Sequence, residues 1–185
     1  MGGSLKQEEL YEIKNIDPYS LIENFVETGT YKAESTLLAA SHYKNVYTIE
    51  IHKPLYIESR ILAENNNITN ITFILGDTLE KLHDIMPLVS KGSIFFIDAH
   101  ISSIDSGYNL KNPVPMFEEL NIILSYPLGP SVFILDDIRL WNDPDKLYLD
   151  WSHIDNEKIC QIFTNKGKGI KSCFTANDRF FIFTL

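Results

Sequence analysis

Two uninterrupted apolar runs constrain the fold of this chain more than any other feature. Ile94-Phe95-Phe96-Ile97 and Val132-Phe133-Ile134-Leu135 carry no polar residue, which is typical of strands buried on both faces of a parallel sheet. Other strand-like runs precede and follow them, and stretches with helical apolar spacing, such as Lys53–Asn65, separate the strands. This alternation predicts βαβ units with right-handed crossovers, and therefore an α/β fold with a doubly wound, mostly parallel sheet.

The C-terminal part of the chain follows a different pattern. A predicted helix within residues 152–163 is followed by Ile170–Ala176, the turn-forming pair Asn177-Asp178 and a last β-rich run over 179–185. Two strand-like runs joined by such a pair predict a β-hairpin, so the sheet gains an antiparallel edge. The seven predicted strands cover residues 24–27, 46–50, 71–75, 94–97, 132–135, 170–176 and 179–185.

The length of the chain limits the number of domains, and its net charge limits the classes of binding partner that we expect. A chain of 185 residues suits one domain. We assign residues 24–185 to it and treat 1–23 as an N-terminal segment whose first four residues resemble a cloning remnant. The net charge of −9 argues against duplex nucleic acid and anionic membranes as partners. No signal peptide or membrane span is visible, so we expect a cytoplasmic location. A homodimer remains open.

Ligands of open α/β sheets bind beyond the carboxyl ends of the strands, so the residues that end each strand are the first candidates. The first strand leads into Glu27-Thr28-Gly29-Thr30, where Gly29 stands without the companions of the dinucleotide glycine fingerprint. The second ends in Glu50-Ile51, and an acid here commonly accepts the hydroxyls of a ribose. The third leads into Gly76-Asp77-Thr78, where Asp77 either contacts an adenine amine or caps the next helix.

Three carboxylates follow the two most buried strands. Asp98 ends the fourth strand, and the pair Asp136-Asp137 ends the fifth. Carboxylates this close repel one another unless a cation compensates, so they predict a site for Mg²⁺ or a similar ion. Arg139 offers a competing partner for either aspartate of the pair. His100, two residues after Asp98, is a candidate general base because its ordinary pKa lies near neutrality.

The stretch from His100 to Pro115 interrupts the alternation of strands and helices. It contains Gly107, Pro113 and Pro115 and has no clear period. A long irregular segment after a central strand of a compact domain is usually functional. We therefore expect it to face the substrate, with Tyr108 and Asn109 as contacts and Arg139 as a further substrate-binding residue.

Together these residues resemble class I methyltransferases that depend on S-adenosylmethionine (SAM). Residues 25–30 resemble the first motif of that family, Glu50 its ribose-binding acid, Gly76-Asp77 its adenine-side motif and Asp98 its fourth-strand motif. The resemblance covers about residues 24–185 and implies a seven-stranded, Rossmann-like sheet. It implies SAM as cofactor, with contacts from residues 27–30, Glu50-Ile51, 76–78 and Asp98.

The set Asp98, His100, Asp136 and Asp137 further resembles metal-dependent sugar O-methyltransferases. The resemblance implies Mg²⁺ held by the three aspartates, with Asp98 and His100 catalytic and His100 taking the proton of a sugar hydroxyl. The segment from Phe25 to Arg139 is also similar to small bacterial and viral proteins of this fold without an assigned substrate. Two alternatives stay open: a nicotinamide-dependent oxidoreductase, and a non-catalytic methyltransferase-like domain that binds a partner.

Overall fold

The computed structural model describes residues 3–100, 112–145 and 149–185. Its strands are β1 (Asn24–Thr28), β2 (Asn45–Glu50), β3 (Ile71–Leu75), β4 (Ser93–Ile97), β5 (Val132–Leu135), β6 (Ile170–Ala176) and β7 (Arg179–Thr184). Its helices are α1 (Gln7–Lys14), α2 (Glu34–Ala40), α3 (Lys53–Asn65), α4 (Thr78–Ile85), α5 (Met116–Leu124) and α6 (Asn156–Asn165).

The strands form one seven-stranded sheet in the order β3-β2-β1-β4-β5-β7-β6. The first five strands pair in parallel, while β7 runs antiparallel to both β5 and β6. The strand order reverses between β1 and β4, which places the switch point of a doubly wound sheet there. The prediction of an α/β fold with a parallel sheet and a C-terminal antiparallel hairpin is therefore confirmed.

Two apolar layers cover the sheet. One packs α4, α5 and α6 against side chains such as Val26, Phe95 and Phe133. The other packs α1 and α2 against the alternate side chains, such as Phe25 and Phe96. Successive side chains of a strand point to opposite faces, so β1, β4 and β5 contribute to both layers. In the part of the chain that the structure describes, no helix is long and apolar enough to span a bilayer.

The residues before β1 are part of this packing. Leu5, Leu10 and Ile13 are buried in the same apolar layer as Phe25. Sequence analysis assigned no element to this segment, although Leu10 and Ile13 lie three positions apart and share one helical face. Sequence analysis also predicted no helix over Met116–Leu124, the residues that form α5.

A buried ionic network ties α1 to the hairpin. The guanidinium of Arg179, at the start of β7, donates to both carboxylate oxygens of Glu9 at 3.0 Å and to the backbone oxygen of Gly3. Its Nε also lies 3.0 Å from Oδ1 of Asp136, although the N–H is not aligned for a hydrogen bond. Arg179 is 2% exposed. Its charge is therefore compensated by acids rather than by water.

Removing Glu9 should lower the stability of the fold, because Glu9 compensates the buried charge of Arg179. We expect Glu9→Ala to lower the free energy of unfolding by about 3–5 kcal/mol, because it leaves a buried charge short of partners. Chemical denaturation measures the change. Glu8→Ala is the matched control: Glu8 is exposed on the same helix, so its loss should cost less than about 0.5 kcal/mol. Equal effects of the two variants would show that the network adds nothing to stability.

Candidate functional site

The carboxyl ends of β1, β2, β3, β4 and β5 meet at one edge of the sheet, around the switch point between β1 and β4. Acidic side chains predicted from the sequence stand at this edge: Glu27 on β1, Glu50 on β2, Asp98 after β4, and the pair that follows β5. The fold thus brings these separate stretches of sequence into one region.

Glu27 is buried on the face of the sheet covered by α2. Its carboxylate accepts hydrogen bonds from the hydroxyl of Thr48, its register partner on β2, at 2.6 Å and from the hydroxyl of Thr36. Burial raises the pKa of Glu27 to about 7, and the nearby charge of Glu50 adds to the rise. The hydrogen bonds from the two hydroxyls offset only part of this rise in pKa. Near neutral pH this carboxyl is therefore divided between its protonated and ionised forms.

The turn after β1 packs closely against the end of β4. Gly29 has a φ of +86°, and a Cβ at this position would lie 2.7 Å from the backbone oxygen of Asp98. Only glycine fits both the positive φ and this close approach. Thr30 is buried, with its hydroxyl 2.6 Å from that of Thr48. The first-motif glycine therefore serves the packing of the two central strand ends, and its contact with a cofactor stays a prediction.

Glu50 organises the loops around the end of β2. Its carboxylate oxygens accept the backbone N–H of Tyr31 at 2.8 Å and of His52 at 2.7 Å. Burial raises the pKa of Glu50, and these hydrogen bonds counteract the rise. Ile51 follows in a bend and is half-buried. The two backbone bonds fix the orientation of the carboxylate and use two of its roughly four acceptor positions, so ribose binding stays a prediction.

The turn after β3 is a capped helix start. Gly76 has a φ of +150° and donates its N–H to the backbone oxygen of Glu50 at 2.9 Å. The carboxylate of Asp77 accepts the N–H of Leu79 at 2.9 Å, which confirms the capping role that the sequence allowed. Thr78 is buried. Contact of this turn with an adenine ring stays a prediction.

Asp98, His100 and Asp137 form a cluster at the ends of β4 and β5. One ligand atom from each lies within 4.8 Å of the other two. The Nε2 atom of His100 is 2.6 Å from Oδ2 of Asp137, and its Nδ1 atom is 3.5 Å from Oδ1 of Asp98. The edge of the imidazole faces Trp151, with ring centroids 5.1 Å apart. The side chains of His100 and Asp137 are 6% and 7% exposed, and that of Asp98 is 30% exposed.

The two carboxyls of this cluster have pKa values shifted in opposite directions. Burial raises the pKa of Asp98 well above its ordinary range, and the neighbouring charges of Asp136, Asp137 and Glu27 raise it further. Burial alone would also raise the pKa of Asp137, but the close approaches of His100 and Arg139 bring it below its ordinary value.

Asp136 faces the opposite side of the sheet. Ile134 and Asp136 point to the layer that contains Phe181 and Arg179, and Asp136 pairs with Arg179 there. Its pKa is raised to about 6 because burial outweighs the attraction of Arg179. Asp137 leaves the strand with a φ of +62° and so points to the other side. The predicted metal set of Asp98, Asp136 and Asp137 stays a prediction, whereas the observed cluster contains His100 in place of Asp136.

The three predicted substrate contacts have different positions. Arg139 forms ion pairs with Asp137 and with Asp178, and its backbone N–H donates to Asp178 at 2.9 Å. It therefore lies at the rim of the cluster with its guanidinium already bound to acids. Tyr108 and Asn109 lie outside the described residues.

The cluster has the donors that a divalent cation requires. Two carboxylates and an imidazole are a common ligand set for first-row divalent metals. The Nε2 atom of His100 is buried and, among the described residues, has no partner in hydrogen-bond geometry despite its close approach to Asp137. The residues at this position therefore fit a metal, and the imidazole favours a first-row transition metal over Mg²⁺.

Sequence reasoning missed a buried acid beside this edge. Glu119 on α5 is fully buried, and its Oε2 atom accepts a hydrogen bond from the hydroxyl of Thr28 at 3.3 Å. The signal was present, because Met116, Leu120 and Ile123 have helical spacing and Glu119 falls on the same face. It also missed Trp151, whose contact with His100 depends on a distant part of the chain.

Comparison with solved structures identifies the fold as that of class I SAM-dependent methyltransferases. The O-methyltransferase TomG from Streptomyces achromogenes, solved with SAM, has a TM-score of 0.66 at 12% identity, covering 98% of this chain and 81% of TomG. A SAM-dependent methyltransferase from Aquifex aeolicus gives 0.53 at 11% identity and covers 98% of each chain.

A longer protein also shares the fold. An O-methyltransferase family protein from Burkholderia thailandensis gives a TM-score of 0.62 at 6% identity, covering 96% of this chain and 55% of its own. The present chain thus spans about half of that protein. No protein-family model and no curated protein matches the sequence.

The burial of Glu27 predicts a pH-dependent stability. The folded state binds the Glu27 proton more tightly than the unfolded state, so this residue's contribution to the free energy of unfolding should fall as the pH rises from about 5 to 8. The loss should be on the order of 2–3 kcal/mol relative to Glu27→Gln. Urea unfolding of both proteins at several pH values measures it. Glu23→Gln, a change at an exposed position, should show no such trend. A constant wild-type-to-Glu27→Gln difference would contradict the assignment.

Proposed function

We propose that this protein transfers a methyl group from SAM to a hydroxyl of a small acceptor, with a saccharide as the acceptor class and a divalent cation assisting. The observation that carries the proposal is the acidic edge at the switch point, formed by Glu27, Glu50, Asp98 and Asp137. SAM carries a sulfonium and an ammonium group, which suit such an edge. The pyrophosphate of a nicotinamide cofactor would be repelled by it, and Gly29 lacks the companions that form its cradle.

The proposed cofactor contacts follow the strand ends. Glu27 and the turn over Thr28, Gly29 and Thr30 lie at the methionine side, and Asp98 lies beside this turn. Glu50-Ile51 would hold the ribose, and Gly76-Asp77-Thr78 the adenine. The spatial sequence of these turns, from β4 through β1 and β2 to β3, matches the extended shape of the cofactor.

Asp98, His100 and Asp137 would hold the cation next to the acceptor. When bound, SAM would supply an electrophilic methyl carbon and leave as S-adenosylhomocysteine. A divalent cation would lower the pKa of the acceptor hydroxyl, whose proton would pass to solvent. The side chains of the protein hold the reacting groups in line, and such positioning supplies about 7–11 kcal/mol of barrier reduction in favourable cases. Trp151 and Arg139 fix the positions of His100 and Asp137. Tyr108 and Asn109, an aromatic ring beside an amide, suit a sugar, and the acidic chain suits an uncharged one.

Calorimetry with S-adenosylhomocysteine (SAH) tests the cofactor assignment. We expect one SAH to bind per chain and NADH not to bind. Asp98→Asn should keep its SAH affinity within about threefold while losing turnover with any accepted hydroxyl substrate, since it removes a cation ligand. NADH binding without SAH binding would replace this proposal with an oxidoreductase. Absence of both would favour a partner-binding domain.

Titration with a divalent metal ion tests the proposed cation site. We expect one Mn²⁺ to bind per chain, detected as loss of the free-ion electron paramagnetic resonance signal. His100→Gln and Asp137→Asn should each weaken binding at least about tenfold. Asp145→Asn, a change at an exposed position outside the cluster, should have no effect. If His100→Gln instead kept the metal affinity and lost only turnover, His100 would be the general base rather than a ligand.

A further inference from the structure

Glu119 is a buried acid whose surroundings do not explain its presence in the apolar core. It lies on the inward face of α5 between Met116 and Leu120, and no part of it reaches solvent. Its Oε1 atom has no partner in hydrogen-bond geometry among the described residues. An isolated buried carboxyl costs stability that a leucine at the same position would not, so a role other than packing is expected.

The contacts of Glu119 connect two parts of the predicted cofactor site. Its Oε2 atom accepts the hydroxyl of Thr28, at the end of β1, and that hydroxyl accepts the backbone N–H of Asp98 at 3.2 Å. Thr78, at the start of α4, is the other hydroxyl that acts on the same carboxyl. Glu119 thus lies close to the start of α4 and reaches Asp98 through one threonine.

The charge state of Glu119 follows from this environment. Burial raises its pKa to about 8, and the acids Asp77 and Glu118 add to the rise, while the hydroxyls of Thr78 and Thr28 lower it in part. Asp77 and Glu118 are both acidic, so neither charge lowers the pKa of Glu119. Glu119 is therefore mainly a neutral carboxylic acid at pH 7, with one O–H to donate.

We propose that Glu119 is a positioning residue of the cofactor site, which holds the ends of β1 and β4 and the start of α4 in binding geometry through Thr28 and Thr78. This inference rests on the proposed SAM site.

Two substitutions separate this role from simple packing. Glu119→Gln keeps the shape and the neutral hydrogen-bonding ability, so SAH affinity at pH 7 should stay within about threefold of wild type. Glu119→Leu fills the core but removes the polar contacts. We expect it to fold and to weaken SAH binding about 10–100-fold. Glu118→Gln, a change at the exposed neighbour on α5, is the control and should leave affinity unchanged.

Calorimetry with SAH on wild type, Glu119→Leu, Thr28→Val and the double variant then tests whether Glu119 acts through Thr28. If Glu119 acts through Thr28, the two losses should not add, whereas independent residues would give additive losses.

The outcomes distinguish the inference from the proposed function. Wild-type protein that binds no SAH would overturn the proposed cofactor site itself. Wild-type protein that binds SAH, together with a folded Glu119→Leu variant of equal affinity, would overturn only the role of Glu119. An equal loss in Glu119→Gln and Glu119→Leu would also overturn it, because a neutral hydrogen-bonding side chain would then not be sufficient.

Discussion

The two-sided burial of the central strands is the constraint on which the rest of the structure depends. Because β1, β4 and β5 have apolar layers on both faces, polar side chains can face a ligand only near the strand ends. The alternation of side chains also governs the last residues of each strand and the first residues beyond it. It sends Glu27 toward α2 and Thr28 toward α5, and it separates Asp136 from Asp137.

This constraint explains how far the sequence could predict the structure. Strands such as Ile71–Leu75 and Val132–Leu135 were predicted with their observed bounds, because each is a run of apolar and β-branched residues with turn residues beside it. Strand order was beyond the pattern itself, and the family resemblance implied only a seven-stranded, Rossmann-like sheet. Helices α1 and α5 were missed because the first lies before the repeating units and the second follows a stretch without any period.

The site was predicted less completely than the fold. Residues at strand ends were found because topology brings such ends together. Arg139 was predicted as a partner of the aspartate pair, and it does bind Asp137. Arg179 was not predicted as the partner of Asp136, since Arg179 and Glu9 lie 170 positions apart in the chain and meet only through the antiparallel hairpin. Asp136 and Asp137 were treated as equivalent ligands, although alternation along β5 separates them. Applying the period of two past the end of the strand would have made that distinction from the sequence.

The structure compensates its buried acids in two different ways, and the difference follows the proposed ligand. Asp136, on the α1 side, is paired with the guanidinium of Arg179, a permanent cation. Glu27 and Glu119, on either side of the end of β1, instead accept threonine hydroxyls. Near neutral pH Glu119 is mainly protonated and Glu27 is partly protonated. A lysine or arginine beside these two acids would satisfy them more strongly, but it would place a fixed positive charge next to the cationic sulfonium of SAM. Hydroxyls and protons stabilise the acids without adding that charge, so the edge of the sheet stays suited to a cationic cofactor.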